Sequence, residues 1–294
     1  MARRSARRSL LYIPGSSQKM LGKIGTVTSD AVLMDLEDAV SLEEKDNARA
    51  NVAEALQTWA GCGRELICRI NAADTIWCYE DILAVAGEPL SAVIVPKANE
   101  RFLIAVDLML TAAEQKKGLP PGSIEMIPLF ETTYAIANAY QVLGASGRIT
   151  GVQLGAEDLT KEQGIDRTRE GREFLFARQQ LAMAARAREL DILDTPYPDI
   201  RDLEGLEADA RLVKSLGFTG KTCIHPSHIE TINRVFSPTA GEIDFARGVA
   251  KAYAASVAEG KGACMYNGKM IDKPVAERAE KLLEKAKALR LITE

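Results

Sequence analysis

Histidine is nearly absent from this chain: 294 residues hold two, His225 and His228, in one short stretch. Chemistry that needs a catalytic histidine therefore has almost no choice of residue. Cysteine is also sparse. Cys62, Cys68, Cys78, Cys223 and Cys264 are odd in number, and no two have CxxC spacing. That disfavours a disulfide framework or a zinc site and fits buried, reduced thiols in a cytoplasmic protein. No run approaches the ~18 apolar residues of a membrane-spanning helix. Positive charge is not in excess: 37 Lys and Arg against 41 Asp and Glu give a net charge of −4, so a nucleic-acid partner is not expected. Repeats and low-complexity tracts are missing. With 47% apolar and 27% charged residues, 22 Gly and 11 Pro, disorder and collagen-like structure are excluded. The first eight residues carry four arginines, but only residues 10–13 form an apolar stretch before Pro14-Gly15 breaks it. A secretory or twin-arginine signal needs a longer one. These arginines read as a basic lip, either solvated or turned toward a phosphate-bearing ligand.

What is present is an alternation. Short β-rich apolar runs end in polar or turn residues and are followed by segments of helical period. Strands are predicted over 10–13, 31–36, 65–70, 92–95, 126–130, 151–154, 192–194 and 221–224, with helices over 43–59, 100–117 and 170–189. The length suits two domains of ~150 residues, but one α/β barrel absorbs ~250. Eight near-continuously apolar strands separated by helices predict a closed parallel (β/α)8 TIM barrel over residues 1–236. The texture then changes. Residues 237–294 are predicted as a C-terminal helical arm packing on a neighbouring subunit, with helices over 238–259 and 275–289 and a polar loop over 266–274.

Active sites of such barrels lie at the C-terminal ends of the strands. Reading those ends in order gives Pro14-Gly15, then Asp35 with Glu37 and Asp38, Arg69 with Asn71, Pro96-Lys97, Glu131-Thr132, Gly155 to Asp158, Asp194, and His225-Pro226. Carboxylates dominate. Glu131 and Asp158 end consecutive strands, which lie ~4.8 Å apart in a sheet. Two oxygen donors with room for waters suit Mg²⁺; strand-end acids also cap the next helix. Glu37 and Asp38 fit either helix-start acids or hydrogen-bond partners of a metal's waters. Arg69 either joins an ion pair with the rim acids or grips a ligand anion. Lys97 could form a Schiff base only with a depressed pKa, whereas the acids around it act in the opposite sense, so a salt bridge or phosphate contact fits it better.

At these positions the chain resembles the citrate lyase beta subunit and its relatives in the HpcH/HpaI aldolase/citrate lyase superfamily, which includes citramalyl-CoA and malyl-CoA lyases. The shared signals are RSLLYIPG from Arg8, DLEDAV over 35–40 with Lys45 and Arg49, Arg69-Ile70-Asn71, Val95-Pro96-Lys97, Glu131-Thr132, GAED over 155–158, Gly220-Lys221 through His225-Pro226, and NGKMID over 267–272. They appear in family order across residues 7–275.

The resemblance implies a trimer or hexamer and Mg²⁺ held by Glu131 and Asp158. It implies that Arg69 binds the reacting oxygens and that Asp272, delivered to a neighbouring subunit's site, is the acid. Arg8, Pro14, Lys97, His225 and Pro226 would face coenzyme A. The implied reaction is carbon–carbon cleavage of a 3-hydroxyacyl-CoA, citryl-CoA-like, to acetyl-CoA and a 2-oxo acid such as oxaloacetate. Citramalyl-CoA or malyl-CoA remain open as substrates. So does a beta subunit acting on citryl-acyl carrier protein beside alpha and acyl carrier subunits. Two further readings stand beside these: a Schiff-base aldolase through Lys97, and a non-catalytic carrier-binding subunit.

Overall fold

In the computed structural model, eight strands close into one barrel: β1 (Ser9–Pro14), β2 (Ala31–Asp35), β3 (Glu65–Arg69), β4 (Ala92–Val95), β5 (Glu125–Phe130), β6 (Gly151–Leu154), β7 (Asp191–Asp194) and β8 (Gly220–Cys223). Every pairing is parallel, and β1 meets β8 to complete the ring. The structure describes residues 6–293. Residues 7–234 form one compact unit; the other holds Ala6 and residues 235–293.

Successive strand residues point to opposite faces of a sheet, and this period builds the barrel. Leu10, Ala31, Leu33, Ile67, Ala92, Ile94, Ile127, Leu129 and Leu193 pack together as one buried cluster inside it. The residues between them, such as Val32, Met34, Cys68 and Val93, are fully buried too, on the side covered by helices. That two-faced burial is why the strands read as continuous apolar runs. Continued by two residues, the interior rows of β1, β2, β3 and β5 arrive at Tyr12, Asp35, Arg69 and Glu131.

The helices depart from expectation in instructive ways. The expected helix over 170–189 starts later: Gly171, at φ +61°, precedes a 3-10 turn Arg172–Phe174, and the α-helix proper is Leu175–Arg186. A helix begins directly after β6, at Ala156–Gln163, so Asp158 sits in a first helical turn and not in a loop.

At the opposite end of the barrel the basic lip takes a different role. Arg7 is buried and pairs with Glu65 at 2.5 Å and Glu125 at 2.6 Å, at the starts of β3 and β5. Arg8 pairs with Asp30, just before β2, through Nη2 at 2.6 Å. Both arginines precede β1, so they close the N-terminal end of the barrel, away from the strand ends where a ligand is expected. This corrects the reading of Arg8 as a coenzyme-A contact. Arg3 and Arg4 lie outside the described residues.

In the second unit, the helix Ala240–Ala258 opens with a capping box between Thr239 and Glu242. The stretch expected as a loop is a β-hairpin, β9 (Cys264–Tyr266) with β10 (Lys269–Ile271). It turns on Asn267 and Gly268, at φ +46° and +73°, the Asn-Gly pair that a type I′ turn favours. Asp272 then caps the helix Lys273–Ala288, and Ile271 joins Ala246, Val249 and Ala279 in a small core.

Candidate active site

Asp35 ends β2 and organises the mouth of the barrel. Its oxygens accept from Arg69 Nε at 2.7 Å and Nη2 at 2.6 Å, and from the backbone N–H groups of Glu37 and Ala39 at 2.9 and 3.2 Å. One carboxylate therefore clamps the arginine in two-point geometry and folds the turn that carries the next acids. Arg69 Nη1 lies 2.9 Å from Glu37 Oε2 and 3.7 Å from Asp38 Oδ2. The Tyr12 ring covers the guanidinium at 5.2 Å, a cation–π contact.

A second layer holds that turn. Lys45 Nζ donates to the carbonyls of Leu36 and Glu37 and to Asn71 Oδ1, each at 2.7 Å. Asp81 accepts from the backbone and side-chain nitrogens of Asn71 at 2.8 and 2.7 Å, and from Arg49 Nε at 3.0 Å. Lys45, Arg49 and Asn71, all in the shared motifs, thus sew the loops after β2 and β3 together.

Across the mouth stand Glu131 and Asp158. Glu131 is buried, and its Oε1 accepts from the backbone N–H of Lys97 at 2.7 Å. Lys97 adopts φ +51°, a left-handed backbone uncommon for residues with a side chain. Gly155 makes the close approach possible: a Cβ there would lie 2.7 Å from Glu131 Cβ and 2.9 Å from its Oε2. Asp158 is half-buried in the first turn of its helix. Thr195, just past β7, accepts the N–H of Ala156 at 3.3 Å and so ties that helix start to the rim.

Burial pushes Glu131 up to about 8; the Lys97 N–H and Arg69 oppose this, while Glu37 and Asp158 add to it. Glu37 is pushed up to about 7, again mainly by burial, against Arg69 and with Asp38. Lys97 Nζ lies 3.6 Å from Glu37 Oε1 and is half exposed. Its partial burial favours the neutral amine, but Glu37, Asp158, Asp38 and Glu131 outweigh it and raise its pKa.

Tyr12, Pro14, Asp35, Asp38, Arg69, Glu131, Gln153 and Asp158 all line one cleft of about 420 Å³. Among the described residues, no three His, Cys, Asp or Glu side chains are placed to hold a metal ion. The cleft offers the carboxylates Glu131 and Asp158, with the rest of a coordination sphere left to water and ligand oxygens. That donor set fits a hard divalent cation such as Mg²⁺, which keeps waters and takes one or two carboxylates. It does not fit zinc, which takes three or four protein ligands.

Other rim residues lie elsewhere. His225 is exposed and caps a short turn: its Nδ1 lies 2.7 Å from Ser227 Oγ and accepts the Ser227 N–H. Neither it nor Pro226 lines the cleft, whereas Ile224 does. Asp194 faces away from the mouth and is fully buried beside Arg178, Lys221 and Asp209. The Gly-Lys of the eighth strand is therefore structural. Asp272 belongs to the second unit, where its Oδ1 accepts from Val275 N at 3.2 Å. Sequence reasoning singled out neither Tyr12 nor Gln153, and named Asp35 only as a rim acid. The period-two pattern of their strands was the available signal.

The model of the HpcH/HpaI aldolase/citrate lyase family matches residues 8–226. The citrate lyase subunit beta of Leuconostoc mesenteroides subsp. cremoris is 36% identical over 97% of this chain and 95% of its own. A (3S)-malyl-CoA thioesterase of Cereibacter sphaeroides is 37% identical over 96% and 95%. Among solved structures, protein CitE from Mycobacterium tuberculosis, in complex with magnesium, acetoacetate and coenzyme A, superposes with a TM-score of 0.76 at 29% identity, over 96% of this chain and 98% of that one. With its eight-stranded barrel and the cleft at its strand ends, the chain belongs to the HpcH/HpaI aldolase/citrate lyase family of carbon–carbon lyases.

Proposed function

We propose that this protein cleaves a citryl-CoA-like 3-hydroxyacyl-CoA thioester to acetyl-CoA and a 2-oxo acid such as oxaloacetate, with Mg²⁺ at Glu131 and Asp158. The observation that carries it is the juxtaposition in one cleft of an arginine locked by Asp35 with two carboxylates, Glu131 and Asp158, that form no ion pair with an arginine among the described residues. The magnesium bound in CitE from Mycobacterium tuberculosis supports the cation. When bound, Mg²⁺ supplies Lewis acidity to the substrate's carboxylate and hydroxyl oxygens.

The rest is done by the chain. As the carbon–carbon bond breaks, its electron pair passes to the acetyl fragment and forms a thioester enolate, while the hydroxyl gives its proton to water in the open cleft and becomes the ketone. Arg69 has five N–H donors and spends two on Asp35; others face the developing enolate oxygen from a position that needs no rearrangement. Glu37 and Asp38 flank Arg69 and set the charge beside it. Asp272 of a neighbouring copy returns a proton to the enolate carbon, making the acetyl methyl group, and in the condensing direction removes it. Pro14 and Lys97 at the rim, with His225 and Pro226, border the entry of the coenzyme. A homo-oligomer follows from the role given to Asp272, and the family resemblance makes it a trimer or hexamer. No helix of the described residues is long and apolar enough to cross a membrane, and the reaction is placed in the cytoplasm.

The Schiff-base alternative loses support because the acids around Lys97 keep it protonated. A second reading has its own observation: the equal identity to a (3S)-malyl-CoA thioesterase favours a smaller acyl group, malyl-CoA or citramalyl-CoA, with or without thioester hydrolysis. The experiment offers the purified chain citryl-CoA, citramalyl-CoA and malyl-CoA with Mg²⁺ or EDTA and detects the 2-oxo acid. Release that EDTA abolishes, fastest with citryl-CoA, is the expected result. Release of CoA without a 2-oxo acid would favour hydrolysis. No reaction with any of the three would move the assignment to citryl-acyl carrier protein, within a complex of alpha and acyl carrier subunits.

A further inference from the structure

Two polar side chains at the base of the cleft take no part in the mechanism above. Gln153, on β6, is 1% exposed and stands between Leu129 of β5 and Leu193 of β7. Its Nε2 donates to the Tyr12 hydroxyl at 2.8 Å, and its Oε1 is buried with no partner. Tyr12 reaches it across the barrel from β1 while its ring covers Arg69. The layer below is hydrocarbon, including Leu10, Leu33, Ile67 and Leu129. A buried amide that makes half its bonds above such a layer is costly to keep.

Hydrogen-bond counting shows what the pair has to offer. In the geometry described, Gln153 donates to Tyr12, so the phenol keeps its own O–H for another acceptor and Gln153 Oε1 stays vacant. With the amide turned over, Oε1 takes the phenol proton and the Nε2 hydrogens are spare. Both arrangements leave a donor for a ligand. Neither is satisfied by a hydrocarbon.

We propose that Gln153 and Tyr12 form a polar floor that reads the substituent on the hydroxyl-bearing carbon and favours a carboxymethyl arm over a methyl group. This rests on the lyase reading, which places that carbon between Glu131, Asp158 and Arg69, directly above the floor. A carboxylate arm takes the spare donor. A methyl group offers that spare donor no acceptor, and sites built for a hydrogen bond reject analogues lacking it far more strongly than apolar pockets reject extra bulk.

The test compares wild type, Gln153→Leu and Tyr12→Phe, the last removing one oxygen without changing the shape of the ring. Two ratios are read: kcat/KM for citryl-CoA over citramalyl-CoA, and the affinity for oxaloacetate over pyruvate, by titration calorimetry with Mg²⁺. The floor predicts that Gln153→Leu lowers both ratios at least tenfold, chiefly through slower citryl-CoA turnover, and that Tyr12→Phe moves them the same way by less. Ratios unchanged in both variants would overturn it, as would equal losses for both substrates. If wild type cleaves neither thioester, the lyase reading fails, and the calorimetric ratio alone decides the floor. Should Gln153→Leu not fold, Tyr12→Phe carries the decision.

Discussion

Glu131 is the residue on which a proton and the proposed cation would compete. In the protein without metal its carboxyl titrates near 8, well above the ordinary value of 4.5, because it is buried. Between those two pH values the folded chain binds more protons than the unfolded one, so Glu131 makes stability fall as pH rises through this window. In EDTA, the denaturation midpoint should therefore decline from pH 5 to 8, and Glu131→Gln, which stays neutral, should flatten the decline. A profile that Glu131→Gln leaves unaltered would show that the slope comes from elsewhere. Arg69 poses a different question, of geometry. Arg69→Lys keeps the charge but loses the two-point bond to Asp35. Removing one oriented donor from a transition-state oxygen typically costs about 10²–10³ in kcat, so turnover should drop by that order with the circular dichroism spectrum retained. A loss confined to KM would instead make Arg69 a ground-state binding residue. Both residues were visible as polar endings of apolar strands. Tyr12 and Gln153 were not singled out, because within a strand an isolated polar residue reads as one more member of an apolar run until its face is known.

At the scale of elements, the strands were legible and the loops were not. All eight strands were expected close to where they lie, since each is a buried run bounded by turn residues. Short helices such as Cys78–Val85, Ala156–Gln163 and Ile229–Phe236 were missed. They span about two turns, too little for a period of 3.6 to declare itself. The Asn267-Gly268 hairpin was missed for another reason: its strands have three residues each and leave Met265 and Met270 exposed, so no alternation marks them. The DLED turn shows what a loop costs to hold. Lys45→Met would leave the carbonyls of Leu36 and Glu37 and the Asn71 oxygen without their shared donor. Buried acceptors left unsatisfied cost about 1–3 kcal/mol. Urea denaturation should show a loss of that order, and kcat should fall with it because the turn carries Glu37 and Asp38. Gly155→Ala tests the opposite wall. The added methyl collides with Glu131; overpacking of this kind costs about 1–3 kcal/mol, and Mg²⁺ affinity, read by calorimetry, should weaken together with stability.

The whole molecule raises the question of where one active site ends. Arg69, Glu131 and Asp158 lie in the barrel unit, and Asp272 lies in the other. If Asp272 serves the barrel of a neighbouring copy, two different inactive variants can repair each other. Arg69→Ala retains a sound Asp272 and a dead barrel; Asp272→Ala retains a sound barrel. Co-expressed with distinguishable tags and purified through both, they should form hybrids in which some sites combine an intact barrel with an intact arm. Selection through both tags removes the pure rings, and every mixed ring of three then holds one site with both parts intact, so about a third of wild-type activity should return, falling toward about a quarter in a larger ring. Variants expressed apart and mixed without subunit exchange should stay inactive. If hybrids also stay inactive while each parent remains folded and oligomeric, Asp272 acts within its own chain or not at all. The same hybrids carry a further discrimination. Asp272 caps the helix Lys273–Ala288 through its side chain, and Asp272→Asn preserves a good cap while abolishing acid chemistry. Thermal stability unchanged in Asp272→Asn together with lost turnover would separate the proton-donor role proposed for this carboxylate from its helix cap.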